Sequence, residues 1–445
     1  MRRRSSWFAG WFMVSGAALA AAAGCGSRDG LGDGSSSGAL ASCPDGTDTT
    51  VSGFVYDPAG KVPLFNAQVY VPDGPLAPIA TGASCAPLGG AMLTSAVTDS
   101  SGHFTLPNMP VGNDIPVVIQ VGKWQRQITV NVPPAAACTD TPLTDPNLTR
   151  LPRNRAEGNI PLMALSTGGG DTLECLLRRM GVSDSEFSTK GGPGRIHMYK
   201  GKDGPNQTSL ATGQFAPNLA GGAAFPASTT LWDSVQDLDA YDAVILSCES
   251  VENADTKPAN SLQALYDYEK AGGRVFASHF HRYWISHGPA PLPSIATWAA
   301  TDDAPAQQTA HVDSTFPNGL AFQQWLQNVG AIPSDGTGNL NLVGRNSLLS
   351  VAAPAQRWMY VPQSTDENGD TIKSSVQLMS YRAPLGAPLA QTCGRVAFSQ
   401  IHVPGTGLRS DNVGRAKPFP TGCETGDLLP HEKALEFMLL YAQSQ

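Results

Sequence analysis

The sequence predicts two folded modules behind an export leader: a small all-β sandwich, then a larger α/β domain on a doubly wound parallel sheet. Three observations carry this. From Thr49 to Pro134 apolar residues alternate with period two and turn signals recur at short intervals. From Ile160 onward short apolar runs alternate with stretches at helical spacing. The 445 residues exceed what one core holds, and fit roughly two or three domains of ordinary size. Hydrophobic residues at 41% exclude wholesale disorder, and 47 Gly with 35 Pro announce many turns. A formal charge of −8, with no basic cluster past the first residues, excludes a nucleic-acid partner.

Residues 1–25 read as a signal peptide. Arg2, Arg3 and Arg4 form its positive end, and Trp7 to Ala23 is apolar or small, short for a membrane span and suited to cleavage. Ala22-Ala23-Gly24-Cys25 resembles a bacterial lipobox, which implies that Cys25 becomes a diacylated N-terminus. Residues 26–45 follow as a Gly/Ser-rich tether; as flexible coil, about 15 residues span roughly 20 Å. No aspartate follows Cys25 directly. By resemblance to lipoprotein sorting rules the destination is then the outer membrane of a Gram-negative bacterium, held through the lipid, with a secreted or periplasmic protein as the alternative.

Of eight cysteines, seven remain after Cys25, an odd number for an oxidising compartment. None forms a C-x-x-C pair, so zinc-ribbon and thioredoxin-type sites are excluded. Cys393 and Cys423 flank a Gly/Pro-rich loop and are the candidate disulfide. One thiol is expected to stay free.

The β module occupies residues 46–138. Its strands are Val51–Tyr56, Ala67–Val71, Ala96–Thr98, His103–Leu106, Ile115–Val121 and Gln127–Val132, with turns at Asp57–Gly60, Asp99–Gly102 and Pro110–Gly112. The order Gly53-Phe-Val55, Ala67-Gln-Val69, Thr98-Asp-Ser-Ser-Gly-His-Phe104 and Pro110-Val-Gly112 resembles the carboxypeptidase regulatory-like family. That resemblance implies a sandwich fold with spacer or ligand-platform roles, and no chemistry.

A connector, residues 139–159, leads to the α/β domain at 160–445. Strands are expected at Ile160–Leu165, Arg195–Tyr199, Asp242–Ser247, Arg274–Ala277 and Gly394–Ser399. Helices are expected at Asp171–Met180, Ser261–Ala271, Leu320–Val329 and His431–Ala442, with residues 288–390 as a loop-rich insert. With its own alternating set, this module is expected to fold from about Asn154 without the first. Tyr241 to Ser247, a helix, then Ala271-Gly-Gly-Arg-Val-Phe-Ala-Ser-His279 resembles the flavodoxin-like, class I glutamine amidotransferase-like fold and its trehalose-utilisation-like branch. There the second strand ends in a nucleophile elbow. Val396-Ala-Phe-Ser-Gln-Ile-His402 falls where that family's late strand ends in its catalytic His. The chain also resembles a group of uncharacterised bacterial lipoproteins that pair these two modules.

A glutaminase of this fold needs a Cys on the elbow, a His to activate it and an acid to orient the His. The elbow here reads Ala277 to His281 without cysteine, and Pro404 stands where the family carries its Glu. What remains is a candidate pocket at the strand ends, made of Asp171, Cys248, Glu249, Ser278, His279, His281 and His402. If extended, His279 and His281 share one face. A Gly168–Gly170 turn has the anion-binding logic of a loop before a helix but matches no phosphate motif. Trp284, Trp298, Trp325 and Trp358 could stack on a sugar, but their spread over loops and helix favours core packing, and Asp366–Asp370 reads as an acidic hairpin turn.

The leading expectation is therefore a cell-envelope lipoprotein whose amidotransferase-like domain lacks the Cys-His-Glu triad and serves as a binding or scaffolding module. It carries no cofactor and meets carbohydrate or another envelope protein. The alternative is a metal-dependent envelope hydrolase of carbohydrate or amide substrates, with zinc on His279, His281 and His402. The leader is testable directly. Cys25→Ser should move the protein from the membrane fraction to the soluble fraction, because acyl chains contribute about 0.8 kcal/mol per buried CH₂. Unchanged sedimentation with membranes would contradict lipidation.

Overall fold

The computed structural model describes residues 39–204, 210–300, 308–342, 344–365, 371–372, 374–403 and 416–444. Cys25, tether residues 26–38, Asp366–Asp370 and Pro404 lie outside them.

Eight strands form the β module: β1 (Ala39–Leu40), β2 (Thr50–Phe54), β3 (Gln68–Pro72), β4 (Met92–Val97), β5 (His103–Leu106), β6 (Pro110–Val121), β7 (Trp124–Val132) and β8 (Asp140–Leu143). They make two sandwich-like sheets, β5-β2-β8 and β1-β6-β3-β4 with β7 on β6. The period-two pattern does this. In β7 Trp124, Ile128, Val130 and Val132 turn inward while the residues between them face out. Pro110–Gly112, expected as a turn, instead opens β6, and a register shift between Gly112 and Ile115 absorbs it.

The rest of the chain supplies β9 (Met163–Ser166), β10 (Phe187–Ser188), β11 (Ile196–Tyr199), β12 (Ala243–Leu246), β13 (Arg274–Ser278), β14 (Ala296–Trp298), β15 (Gln308–Val312), β16 (Asn339–Leu342), β17 (Leu348–Val351), β18 (Gln356–Val361), β19 (Ser364–Thr365), β20 (Thr371–Ile372), β21 (Ser375–Ala383) and β22 (Gly394–Ser399). The helices are α1 (Pro146–Thr149), α2 (Leu173–Arg179), α3 (Val235–Asp239), α4 (Ala259–Lys270), α5 (Tyr283–Ser286), α6 (Pro317–Asn328) and α7 (Pro430–Gln443). Ten strands form one sheet in the order β10-β11-β9-β12-β13-β22-β21-β18-β15-β16. From β10 to β22 the pairs are parallel; from β22 onward they are antiparallel.

Helices cover both faces of the parallel part. Val244 and Leu246 of β12 join a core with α4, whereas Ala243 and Ile245 join one with α2, α6 and α7. This is why the central strands read as unbroken apolar runs. The segment 288–390, expected as loops, carries the antiparallel half of the sheet. Its strand β21 is buried along almost its whole length yet holds Ser375, Gln377 and Ser380. Those side chains find partners inside the core: Ser375 Oγ donates to Asn346, Gln377 Nε2 to the Arg345 carbonyl, and Trp358 Nε1 to Ser380. Polar residues paired inside a core do not register as a hydrophobic run.

The two modules share their packing. One hydrophobic cluster runs from Val51, Val69 and Trp124 through Leu176 to Leu435 and Met438 of α7. Phe65 stacks on Phe437 with ring centroids 6.0 Å apart, and Trp325 Nε1 donates to the Pro63 carbonyl at 2.7 Å. Trp124 Nε1 donates to Gln443 Oε1 at 2.7 Å. At the β6–β7 turn Gly122 has φ +54°, and a Cβ there would lie 1.9 Å from the Gln443 carbonyl oxygen. Buried Asp242 accepts from Lys123 Nζ, Gly82 N and Leu162 N at 2.5–2.8 Å, tying the β3–β4 insert to β12.

Three disulfides join Cys43 to Cys138, Cys85 to Cys393 and Cys175 to Cys423. The expected Cys393–Cys423 bridge is therefore corrected. Cys393 precedes β22 and meets the β3–β4 insert, while Cys423 precedes α7 and meets α2. The second bridge crosses the junction between modules. A chain beginning near Asn154 is thus expected to lose the single cooperative melt of the full chain, since α7 would expose its packed outer face. A truncated chain that melts cooperatively at the full chain's temperature would contradict a shared core.

Candidate functional site

Four chain turns meet at the carboxyl ends of the parallel strands, where the crevice of an α/β sheet lies. After β9 the chain runs through Gly168–Gly170 to Asp171. After β12 it presents Cys248 and Glu249, after β13 Ser278 and His279, and after β22 His402. The glycines are there for packing. A Cβ on Gly168 would sit 2.0 Å from the Cys248 carbonyl oxygen, and Gly170 N donates to that same oxygen at 2.9 Å. The Gly170 amide is thus engaged within the turn, and the helix that follows, α2, is only seven residues long.

Asp171 is fully buried at the centre. Its carboxylate accepts from Ser278 Oγ at 2.5 Å and from the amides of Val403 at 2.8 Å and Thr172 at 2.9 Å. Ser278 is thereby committed to a structural hydrogen bond. Burial pushes the Asp171 carboxyl up to about 7, against the three bonds that favour its charged form.

Beside this knot three side chains come together. Cys248 Sγ lies 3.4 Å from His279 Nδ1, and the His279 and His402 ring centroids are 5.0 Å apart. One donor atom from each of Cys248, His279 and His402 lies within 4.8 Å of the other two. Cys248 and His279 are buried and His402 is half-buried. Cys248 is the free cysteine among the described residues. Burial pushes its thiol up to about 12, so without a charge partner it stays protonated at neutral pH. Burial, with His279 and Arg345 adding to it, holds His402 well below the usual imidazole range. Its Nε2 has no hydrogen-bond partner among the described residues. His279 has φ +38°, a left-handed conformation that costs a non-glycine residue about 1–3 kcal/mol.

The remaining expected site residues go elsewhere. His279 to Arg282 is a turn of 3₁₀ helix, so His279 and His281 do not share a face as an extended strand would have placed them. His281 Nε2 pairs with the Ser247 carbonyl and its Nδ1 accepts from Trp284 Nε1, both at 3.0 Å. Both nitrogens are used, and burial pulls its pKa down to about 4. His281 therefore does not join His279 and His402 as expected; the side chain grouped with those two is Cys248. Glu249 accepts from buried Lys257 Nζ at 2.7 Å and from Lys202 N at 2.9 Å, a structural ion pair. Trp284, Trp325 and Trp358 are core residues and offer no sugar-stacking face.

Sequence reasoning missed Arg345, on the β16–β17 connection, whose charge acts on both Cys248 and His402. No local pattern marks it, because it reaches the site only through the antiparallel half of the sheet.

No family model matches the chain, and no curated protein matches it. Two solved structures resemble part of it, both interface mutants of a type II cohesin–X-dockerin complex from Acetivibrio cellulolyticus. They are 18% and 17% identical, with TM-scores of 0.16 and 0.15, each covering 32% of this chain and 74% of that chain. Likeness at that level carries no argument about fold or function.

The Asp171 carboxyl makes a pH prediction. Its folded pKa of about 7 stands above the ordinary 3.8, so between these values the folded chain holds a proton that the unfolded chain has released. The stability it contributes falls as pH rises from about 4 to about 7 and is level above. Asp171→Asn keeps an acceptor for the two amides and turns a donor toward Ser278, so it should remove this slope. Asp171→Ala strands the Val403 amide and Ser278 hydroxyl and should cost roughly 2–4 kcal/mol. Urea unfolding across pH 4–8 checks both; parallel curves for wild type and Asp171→Asn would contradict the assignment.

Proposed function

We propose that this chain is a cell-envelope lipoprotein whose α/β domain is a class I amidotransferase-like fold turned into a binding module. One observation carries the reading: the turn after β13, where that family places its nucleophile, holds left-handed His279 instead. The neighbouring Cys248 is a buried thiol on the turn after another strand, β12, Ser278 is bound to Asp171, and position 404 is proline where the family's orienting acid would stand. A nucleophile, base and orienting acid in sequence are needed for triad chemistry. The strand ends keep the shape of such a site without those roles.

The compartment has independent support. Three disulfides fit an oxidising environment outside the cytoplasm. No helix among the described residues is long and apolar enough to cross a membrane, so an acyl chain on Cys25 is the means of attachment in this reading. The tether and β module then hold the crevice away from the membrane.

Purified full-length protein offered glutamine, asparagine and simple amide and glycoside substrates should give no turnover above buffer. Turnover abolished by Cys248→Ala or His279→Ala would instead make the crevice an active site and overturn the binding reading.

A further inference from the structure

We infer that Cys248, His279 and His402 form a binding site for one zinc-class metal ion, a thiolate and two imidazoles with a fourth position left open. This deepens the binding-module reading and rests on it, naming the ligand of that crevice as a metal.

The geometry is that of an unclosed ligand set. Zn–S near 2.3 Å and Zn–N near 2.0 Å put sulfur and nitrogen about 3.5 Å apart around a tetrahedral ion. Cys248 Sγ and His279 Nδ1 are already 3.4 Å apart, and all three donor atoms lie within 4.8 Å of one another. Closing the set requires His402 to swing by roughly 1 Å. That side chain is only half-buried, and its Nε2 has no partner among the described residues that the motion would break.

A thiol–imidazole hydrogen bond alone explains less. It accounts for one contact and leaves His402 over His279 without a role for its Nε2. It also gives no reason to hold His279 at φ +38°, whereas ligand clamps are a place where such backbone strain collects. A backbone amide supports the sulfur: Ser250 N donates to Cys248 Sγ at 3.4 Å. Amides around a metal thiolate are the outer shell that such a site uses.

The donor types select the ion. One soft thiolate with two imidazoles suits zinc or copper and disfavours calcium or magnesium, which take oxygen ligands. Three protein ligands leave one position exchangeable.

The test uses the full chain purified without chelators. Elemental analysis should find one zinc per chain. Titration of the metal-stripped protein with Co²⁺ should give a thiolate-to-cobalt charge-transfer band, which reports sulfur ligation in the wild-type chain without any variant. Cys248→Ser should abolish the band. It and His402→Ala should weaken binding at least about 100-fold, beyond the about 10–100-fold that loss of an outer-shell partner costs. His281→Gln should keep both band and stoichiometry. Absence of retained zinc together with cobalt binding that shows no thiolate band would overturn the site, as would a Cys248→Ser chain that binds like wild type. Those failures leave the binding-module reading standing with another ligand. Amide turnover by the zinc-loaded chain would do the reverse, ending the binding-only reading while the metal site survives.

Discussion

The carboxylate of Asp171 holds together segments that are far apart in the chain. It takes the Ser278 hydroxyl at the end of β13 and the Val403 amide past β22, while Thr172 returns a bond to the Val403 carbonyl. A buried carboxylate is tolerated only when its lone pairs are occupied, so these three segments have one arrangement. The Gly168 turn adds the second constraint, since only a residue without Cβ lets it lie against the Cys248 carbonyl. Between them these contacts fix where Cys248, His279 and His402 start from. The cluster is a consequence of how the strand ends are tied.

The β module is part of the same construction. Asp242, at the foot of β12, is neutralised by Lys123 from the β6–β7 hairpin, with Arg195 3.7 Å away. Helix α7 is apolar on most of its circumference because it packs on the parallel sheet and on the β module at once. Its burial of Phe437 against Phe65, Phe322 and Trp325 joins three elements that no local pattern connects. The strand-end crevice thus stands on a body stiffened from the opposite side, with Cys85–Cys393 as a covalent link across the junction.

Much of this was legible in the residues, and the rest was hidden for physical reasons. The apolar runs Asp242–Ser247 and Gly394–Ser399 announced central strands because both of their faces are covered by helices. The alternation in β7 announced a half-exposed strand. Strand β21 stayed hidden because its serines and glutamine find partners inside the core. Cysteine parity foretold a free thiol, but the pairing depends on tertiary contacts between the β3–β4 insert and β22 that spacing cannot reveal. At the site, His279 and His402 were identifiable from strand ends, whereas His281 was misplaced by assuming the strand continued. One left-handed residue turned it toward Trp284.

The central claim is that three strand ends deliver one sulfur and two imidazole nitrogens to a single point. X-ray absorption at the zinc edge of the metal-loaded full chain measures that point most directly. The account predicts one sulfur near 2.3 Å and two imidazole nitrogens near 2.0 Å, with a light fourth scatterer. A first shell of nitrogen and oxygen without sulfur would contradict it, because Cys248 would then be only a buried thiol beside two histidines.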